Sequence, residues 1–144
     1  MQQPRNADFK NYDRPRESRP SFSLSGFDPN WIKKQINKES VDFAENIGKY
    51  LAENKLTTSQ IRNVFGELKR IQMKGYEKEK TSFLLLKPKM AYAAKRNQND
   101  GINTFKLFFD LGHNEVTDEP TFANFISLLE AVLAYHKAFG GREN

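Results

Sequence analysis

Apolar residues recur at intervals of three and four over most of the chain beyond residue 40, which is the pattern of amphipathic helices. The spacing predicts helices over about 40–53, 57–75, 82–97, 104–111 and 118–139. The β-branched residues are scattered, and no hairpin turn separates two alternating runs, so no strand is predicted. The chain is therefore predicted to be all-α, a compact bundle of about five helices.

The second predicted helix has the clearest start. Thr57 and Gln60 have the spacing of a capping box, in which each side chain bonds the backbone of the other residue. Leu56 and Ile61 occupy the two positions of a hydrophobic staple, which sets the direction in which the chain enters the helix. Gly75 is expected to end this helix.

The third predicted helix contains Pro88, and this residue leaves two interpretations open. An interior proline removes a hydrogen bond and clashes with the preceding turn, so the helix either kinks there or begins near Lys87 with Pro88 in its first turn.

Two connections flank the fourth predicted helix. Residues 97–103 are expected to form a polar loop before it, and residues 112–118 a turn after it.

The N-terminal stretch differs from the rest of the chain. Residues 1–37 hold four of the six prolines, several arginines and no helical or strand period. We therefore predict two parts, a flexible basic arm at 1–37 and a helical-bundle domain at 38–142. An alternative is that the arm becomes ordered on RNA or on a neighbouring subunit.

Positive charge is concentrated in residues 54–99. Eleven Lys or Arg against three Glu leave this stretch with a net charge of +8, whereas the whole chain carries +5. Charge separated in this way favours a polyanionic or acidic partner. An ordinary solvated helix surface remains the simpler alternative, since most charged residues are solvated.

Phosphate contact is the most direct physical role for these cations. Lys89, Tyr92 and Arg96 fall on one face of the third helix, with Lys95 adjoining them. Cations on a rigid helix hold a nucleic-acid backbone in register, and Tyr92 could stack on a base. A tyrosine packed on the core is an equal alternative, and the composition does not decide between RNA and DNA.

Catalytic and membrane classes find little support. The sequence has no cysteine and none of the common catalytic or nucleotide-binding motifs, and we expect neither an enzyme nor a bound cofactor or metal. His136 is expected to be a partly buried helix residue and His113 a turn residue, although a two-histidine ribonuclease is an alternative. The chain has neither an apolar run long enough to cross a bilayer nor a secretory signal, so we expect a cytoplasmic location.

Three stretches together carry a family resemblance. They are LTTSQIR at 56–62, LKPKMAYAAKR at 86–96, and LEAVLAYHK at 129–137 followed by FGG at 139–141. In this order and spacing, residues 54–142 resemble the small helical subunit of type III-A CRISPR effector complexes, the Csm small-subunit family. Lys95 departs from the pattern, because the family is expected to have a glycine before the arginine.

The resemblance implies a non-catalytic subunit in antiviral defence. Such subunits stack in several copies, beside backbone subunits of RRM-like fold that hold the guide RNA and cleave the target. A large polymerase-like subunit makes cyclic oligoadenylates. The resemblance implies contacts with the guide and target RNA, which makes the helical bundle at 38–142 an RNA-binding domain. Lys95 is added to the candidates for its charge. The candidates for RNA contact are Arg62, Lys69, Lys87, Lys89, Tyr92, Lys95 and Arg96.

Two other functions remain open on the sequence. A DNA-binding helical regulator would use the second and third helices as a helix-turn-helix, although residues 73–82 are long for its turn. A protein–protein adaptor would dock its basic face on an acidic partner without contacting nucleic acid.

Overall fold

The computed structural model describes residues 22–144 and shows a helical bundle. The helices are α1 (Asn30–Lys33), α2 (Lys38–Glu53), α3 (Arg62–Lys74), α4 (Lys80–Leu84), α5 (Leu86–Arg96), α6 (Asp100–His113) and α7 (Glu119–Ala138). Two short 3-10 helices, Thr58–Ile61 and Tyr76–Lys78, flank α3. Five of the α-helices have eleven residues or more, and residues 22–144 contain no strand beyond one isolated bridge. The predicted all-α class is confirmed.

Helix α7 forms the centre of the bundle, with α2 packed along it. Its buried face meets an aromatic cluster at the end where α4 and α6 come together. The rings of Phe83, Phe109 and Phe125 pack mostly edge to face, with centroids 5.4 to 6.0 Å apart where Phe125 meets the other two. Such aromatic side chains bury large areas and dominate the stability of a core.

Side-chain caps define where the longer helices begin. Asn37 and Ser40 form a capping box at α2, and Asp118 and Thr121 form another at α7. At the second predicted helix, the Gln60 side chain accepts a hydrogen bond from the Thr57 N–H at 3.1 Å, so the predicted capping box is confirmed. The helix nevertheless opens with a 3-10 turn before it becomes α-helical at residue 62, and it ends before Gly75 as predicted.

The predicted third helix is divided in two. Helix α4 ends at Leu84, and α5 begins at Leu86 with Pro88 in its first turn. A proline in the first turn lies where the backbone N–H groups have no intrahelical partner, so it removes no helical hydrogen bond. The structure thus supports the second of the two interpretations of Pro88.

The polar stretch at 97–103 is not the predicted loop, because α6 starts within it. Asn99 caps the helix by accepting a hydrogen bond from the Ile102 N–H at 2.8 Å. Gly101 lies against the backbone of the loop between α2 and α3, where a Cβ would be only 2.6 Å from the Asn54 carbonyl oxygen. Helix α6 therefore runs well beyond the predicted 104–111 at both ends.

Part of the predicted N-terminal arm packs on the bundle. Trp31 and Ile32 are 3% and 0% exposed, and the partly buried Phe22 and Phe27 pack against the same core. The sequence shows no period there because these contacts come from single anchors in short segments. Residues 1–21, which hold the remainder of the predicted arm, lie outside the described residues.

Candidate nucleic-acid interface

Three of the predicted contact residues meet at one groove. Lys89, Tyr92 and Arg96 lie one helical turn apart along α5 and line the same side of it. The Tyr92 ring is 65% exposed, and the Arg96 guanidinium lies 5.8 Å from its centroid. Tyr92 is therefore a solvent-exposed residue, which excludes the core position that the sequence left open.

The opposite wall of the groove comes from the 3-10 helix Thr58–Ile61 and from α3. Gln60, Asn63 and Glu67 face α5 across a space of about 700 Å³. They follow one another at spacings of three and four, the same helical spacing as the residues of α5. This wall was not predicted from the sequence because its residues are mostly uncharged, although their spacing places them on a common face. We call this space the α3–α5 groove.

Arg62 and Lys69 lie along a different cavity, between α3 and α7. This cavity has a volume of about 340 Å³ and an apolar floor that includes Phe65 and Leu133. The Lys69 ammonium is 2.5 Å from a Glu130 carboxylate oxygen and 5.5 Å from the Phe65 ring centroid. The predicted contact residues are therefore divided between two cavities and do not form one continuous face.

Lys87 and Lys95 line neither of these cavities. The Lys87 ammonium donates a hydrogen bond to the Asn114 side chain, in the loop between α6 and α7. Lys95 is exposed near the end of α5. Both lysines lie on α5 with the groove residues, so they add to the positive potential of that helix.

Ion pairing separates the cations of residues 54–99 into two groups. The Arg70 guanidinium bonds Glu67 at 2.8 Å and Glu79 at 2.9 Å, which raises the pKa of Arg70 and lowers the pKa of both carboxyl groups. By contrast, five of the seven candidate contact residues carry a positive charge that no carboxylate within residues 22–144 pairs. These five are Arg62, Lys87, Lys89, Lys95 and Arg96. Unpaired cations on a helix surface are the groups most available to an anion.

Both histidines are structural. His113 is not a turn residue but the last residue of α6, stacked on Phe83 at 4.1 Å between ring centroids and bonded through Nε2 to the Phe83 carbonyl. Burial lowers the pKa of His113, so it is held neutral and donates this bond. His136 is fully buried, with Nε2 2.7 Å from the Leu56 carbonyl oxygen. Neither ring is open to a substrate, which counts against the two-histidine ribonuclease.

Other classes of site find no support in the described part of the chain. Residues 22–144 contain no cluster of His, Asp and Glu that could hold a metal ion. No helix in the same range is long and apolar enough to cross a membrane. Helices α3 and α5 are separated by residues 75–85, which include two short helices, whereas a helix-turn-helix needs a turn of about 3–4 residues.

Comparison with known families gives one match. The family model described as Csm2 Type III-A matches residues 34–142, which is more than half of the chain. The match starts at residue 34, before the segment 54–142 that carries the sequence resemblance, and it includes α2. Comparisons with curated proteins and with solved structures find no match.

Proposed function

The chain belongs to the Csm2 family of type III-A CRISPR systems, and from this we propose that it contacts the guide and target RNA of a Csm complex through its α5 surface. Family membership makes it a small subunit of a Csm complex in CRISPR defence, associated with other Csm subunits. In the proposal the subunit positions RNA and does no chemistry. Cleavage and cyclic oligoadenylate synthesis belong to the RRM-like and polymerase-like subunits.

One observation carries the proposal. Lys89 and Arg96 flank the exposed Tyr92 on the α3–α5 groove, and no carboxylate in the described residues pairs with either cation. Two cations about two turns apart on a rigid helix, neither of them in an ion pair, can each contact a phosphate of the same nucleic-acid strand. Binding of this kind releases condensed counterions and depends little on sequence.

The remaining candidates contribute unequally in this proposal. Arg62 and Lys95 are exposed and unpaired, so they can reach phosphates without giving up a partner. Lys87 already uses one of its three N–H donors on Asn114, and Lys69 is already ion-paired with Glu130. We therefore expect Lys69 to contribute least, because a phosphate contact there replaces an existing charge pair.

We also propose that copies of the subunit stack through opposite charges. Helix α2 exposes Glu39 and Glu45 on its surface, whereas the exposed cations Lys74 and Lys78 lie outside the α5 surface that is proposed to contact RNA. A contact between two different faces repeats from copy to copy, and opposite charges fix its register. Sedimentation velocity at low and high salt tests this: we expect larger species at low salt only, and a monomer at both salt concentrations would contradict stacking through charge.

The test of RNA contact is a salt titration of binding by the full chain. With about four phosphates neutralised on a single strand, the slope of log affinity against log salt should be near −3. The double substitution Lys89→Ala with Arg96→Ala should make this slope less steep by about 1.4, because two contacts are lost.

A matched control removes the same charge elsewhere. Lys34 and Lys49 are exposed and form no ion pair within residues 22–144, and neither lines the α3–α5 groove. Lys34→Ala with Lys49→Ala should therefore leave the slope nearly unchanged. Binding that does not respond to salt, or an equal loss in both double variants, would refute phosphate contact by the α5 surface.

A further inference from the structure

The two walls of the α3–α5 groove differ in character. The α5 wall carries exposed cations, whereas the wall from the 3-10 helix Thr58–Ile61 and α3 supplies amide groups and one carboxylate. The groove volume of about 700 Å³ lies in the range of about 300–1,000 Å³ that is typical of sites for small organic molecules. The groove is therefore large enough to take a group from a strand, besides touching its backbone.

Glu67 makes the α3 wall of the groove unfavourable for a phosphate. Both of its carboxylate oxygens accept hydrogen bonds from Arg70, at 3.1 and 2.8 Å, and this pairing together with the nearby Lys89 lowers the pKa of Glu67. Glu67 is thus ionised, and an ionised carboxylate can only accept hydrogen bonds. A phosphate inside the groove would meet a like charge, whereas a neutral group with N–H or O–H donors would find an acceptor.

Asn63 offers a free amide on the same wall. The Gln60 oxygen accepts from the Thr57 backbone, and the Asn97 amide donates to the Ala93 carbonyl, so both of these amides already have partners. Asn63 makes no hydrogen bond to any described residue, and its side chain is exposed to the groove. An amide donates and accepts, which matches the mixed donors and acceptors at the edge of a nucleobase.

Tyr92 supplies a flat surface at the mouth of the groove. The guanidinium of Arg96 lies over its ring, and the ring as a whole is largely exposed. Exposed aromatic rings stack on unpaired bases and accept any of them, because every base has a π face. A base in a duplex is already stacked on both sides, so only an unpaired base is available to Tyr92.

We propose that the α3–α5 groove takes the nucleoside of one unpaired RNA nucleotide, with its base on Tyr92 and its flanking phosphates on Lys89 and Arg96. Asn63 then donates to or accepts from the base edge, and Glu67 accepts a hydrogen bond from a base N–H or from the ribose hydroxyl. This inference rests on the proposed RNA contact and specifies which part of the strand enters the groove.

The test compares two RNA duplexes of equal length, one fully paired and one with a single bulged 2-aminopurine nucleotide. We expect the full chain to bind the bulged duplex more tightly and to change the 2-aminopurine fluorescence. Tyr92→Ala should weaken binding of the bulged duplex by about 5- to 150-fold, the loss typical of one stacked base, with little effect on the paired duplex. Tyr92→Phe should keep the preference, and Asn63→Ala should reduce it.

Lys95→Ala is the matched control, because it removes a phosphate contact outside the groove and should weaken both duplexes equally. If wild type binds both duplexes equally, or if Tyr92→Ala weakens both equally, the nucleoside site is refuted while phosphate contact stands. If wild type binds neither duplex, the proposed RNA contact itself is refuted. Tyr92 is exposed, so thermal unfolding of Tyr92→Ala should match wild type.

Discussion

Two glycines in helices should respond in opposite directions to substitution by alanine. Gly101 lies in the first turn of α6, where an added Cβ would be 2.6 Å from the Asn54 carbonyl oxygen and 2.7 Å from the Leu56 nitrogen. Gly66 lies in α3, where an added Cβ would meet no atom within 4 Å. The pair thus separates the intrinsic effect of alanine in a helix from the effect of a backbone contact.

The expected magnitudes follow from these contacts. Alanine stabilises a compatible helical position by about 0.4–1 kcal/mol relative to glycine, and Gly66→Ala should show this gain. At Gly101 the same gain is opposed by overpacking, about 1–3 kcal/mol. The hydrogen bond from the Gly101 N–H to the Asn54 oxygen, 3.0 Å in the structure, is lost as well, about 1 kcal/mol. Gly101→Ala should therefore lower the free energy of unfolding by about 1–3 kcal/mol.

Urea and thermal unfolding, followed by circular dichroism, measure both variants. At about 3 °C for each kcal/mol, Tm should fall by about 3–9 °C for Gly101→Ala and rise by about 1–3 °C for Gly66→Ala. The contact matters to the groove because Asn54 and Leu56 lead directly into the 3-10 helix of its wall. Equal shifts in the two variants, or a Gly101→Ala protein as stable as wild type, would refute the close packing of α6 on this loop.

Three further predictions concern stability. Burial lowers the pKa of His113, so wild type should lose stability as pH falls below about 6.5, where the unfolded chain takes up the proton. His113→Phe should remove this loss in urea titrations, and a pH profile of stability equal to that of wild type would contradict the prediction. Because Arg70 lowers the pKa of Glu67 and Glu79, Arg70→Ala should lower the urea midpoint at pH 7. That difference should close as pH falls below about 4.5, and a difference that persists at pH 2 would exclude the ion pairs as its cause. Asn99→Ala should cost about 0.5–2 kcal/mol through loss of the α6 cap, and a thermal midpoint equal to wild type would contradict that role.

Local patterns predicted most of the helices because their causes lie within a few residues. They depend on residues three or four positions apart, as in the capping box of Thr57 and Gln60, the end of α3 before Gly75 and the buried stripe of α7. The prediction failed where a distant contact decided the local structure. Polar residues at 97–103 look like a loop, yet α6 begins at Asp100, and the missing side chain of Gly101 lets its first turn pack on the α2–α3 loop.

The sequence by itself determined the helical class, the placement of positive charge on the second and third predicted helices and the family resemblance. Each depends on residue types and short spacings, which folding does not change. Only the tertiary structure decided which cations form ion pairs, since Lys69 pairs with a carboxylate 61 residues away whereas Lys89 and Arg96 form no ion pair within residues 22–144. It also brought the α3 wall opposite α5, because the space between two helices depends on how they pack and not on the period of either one.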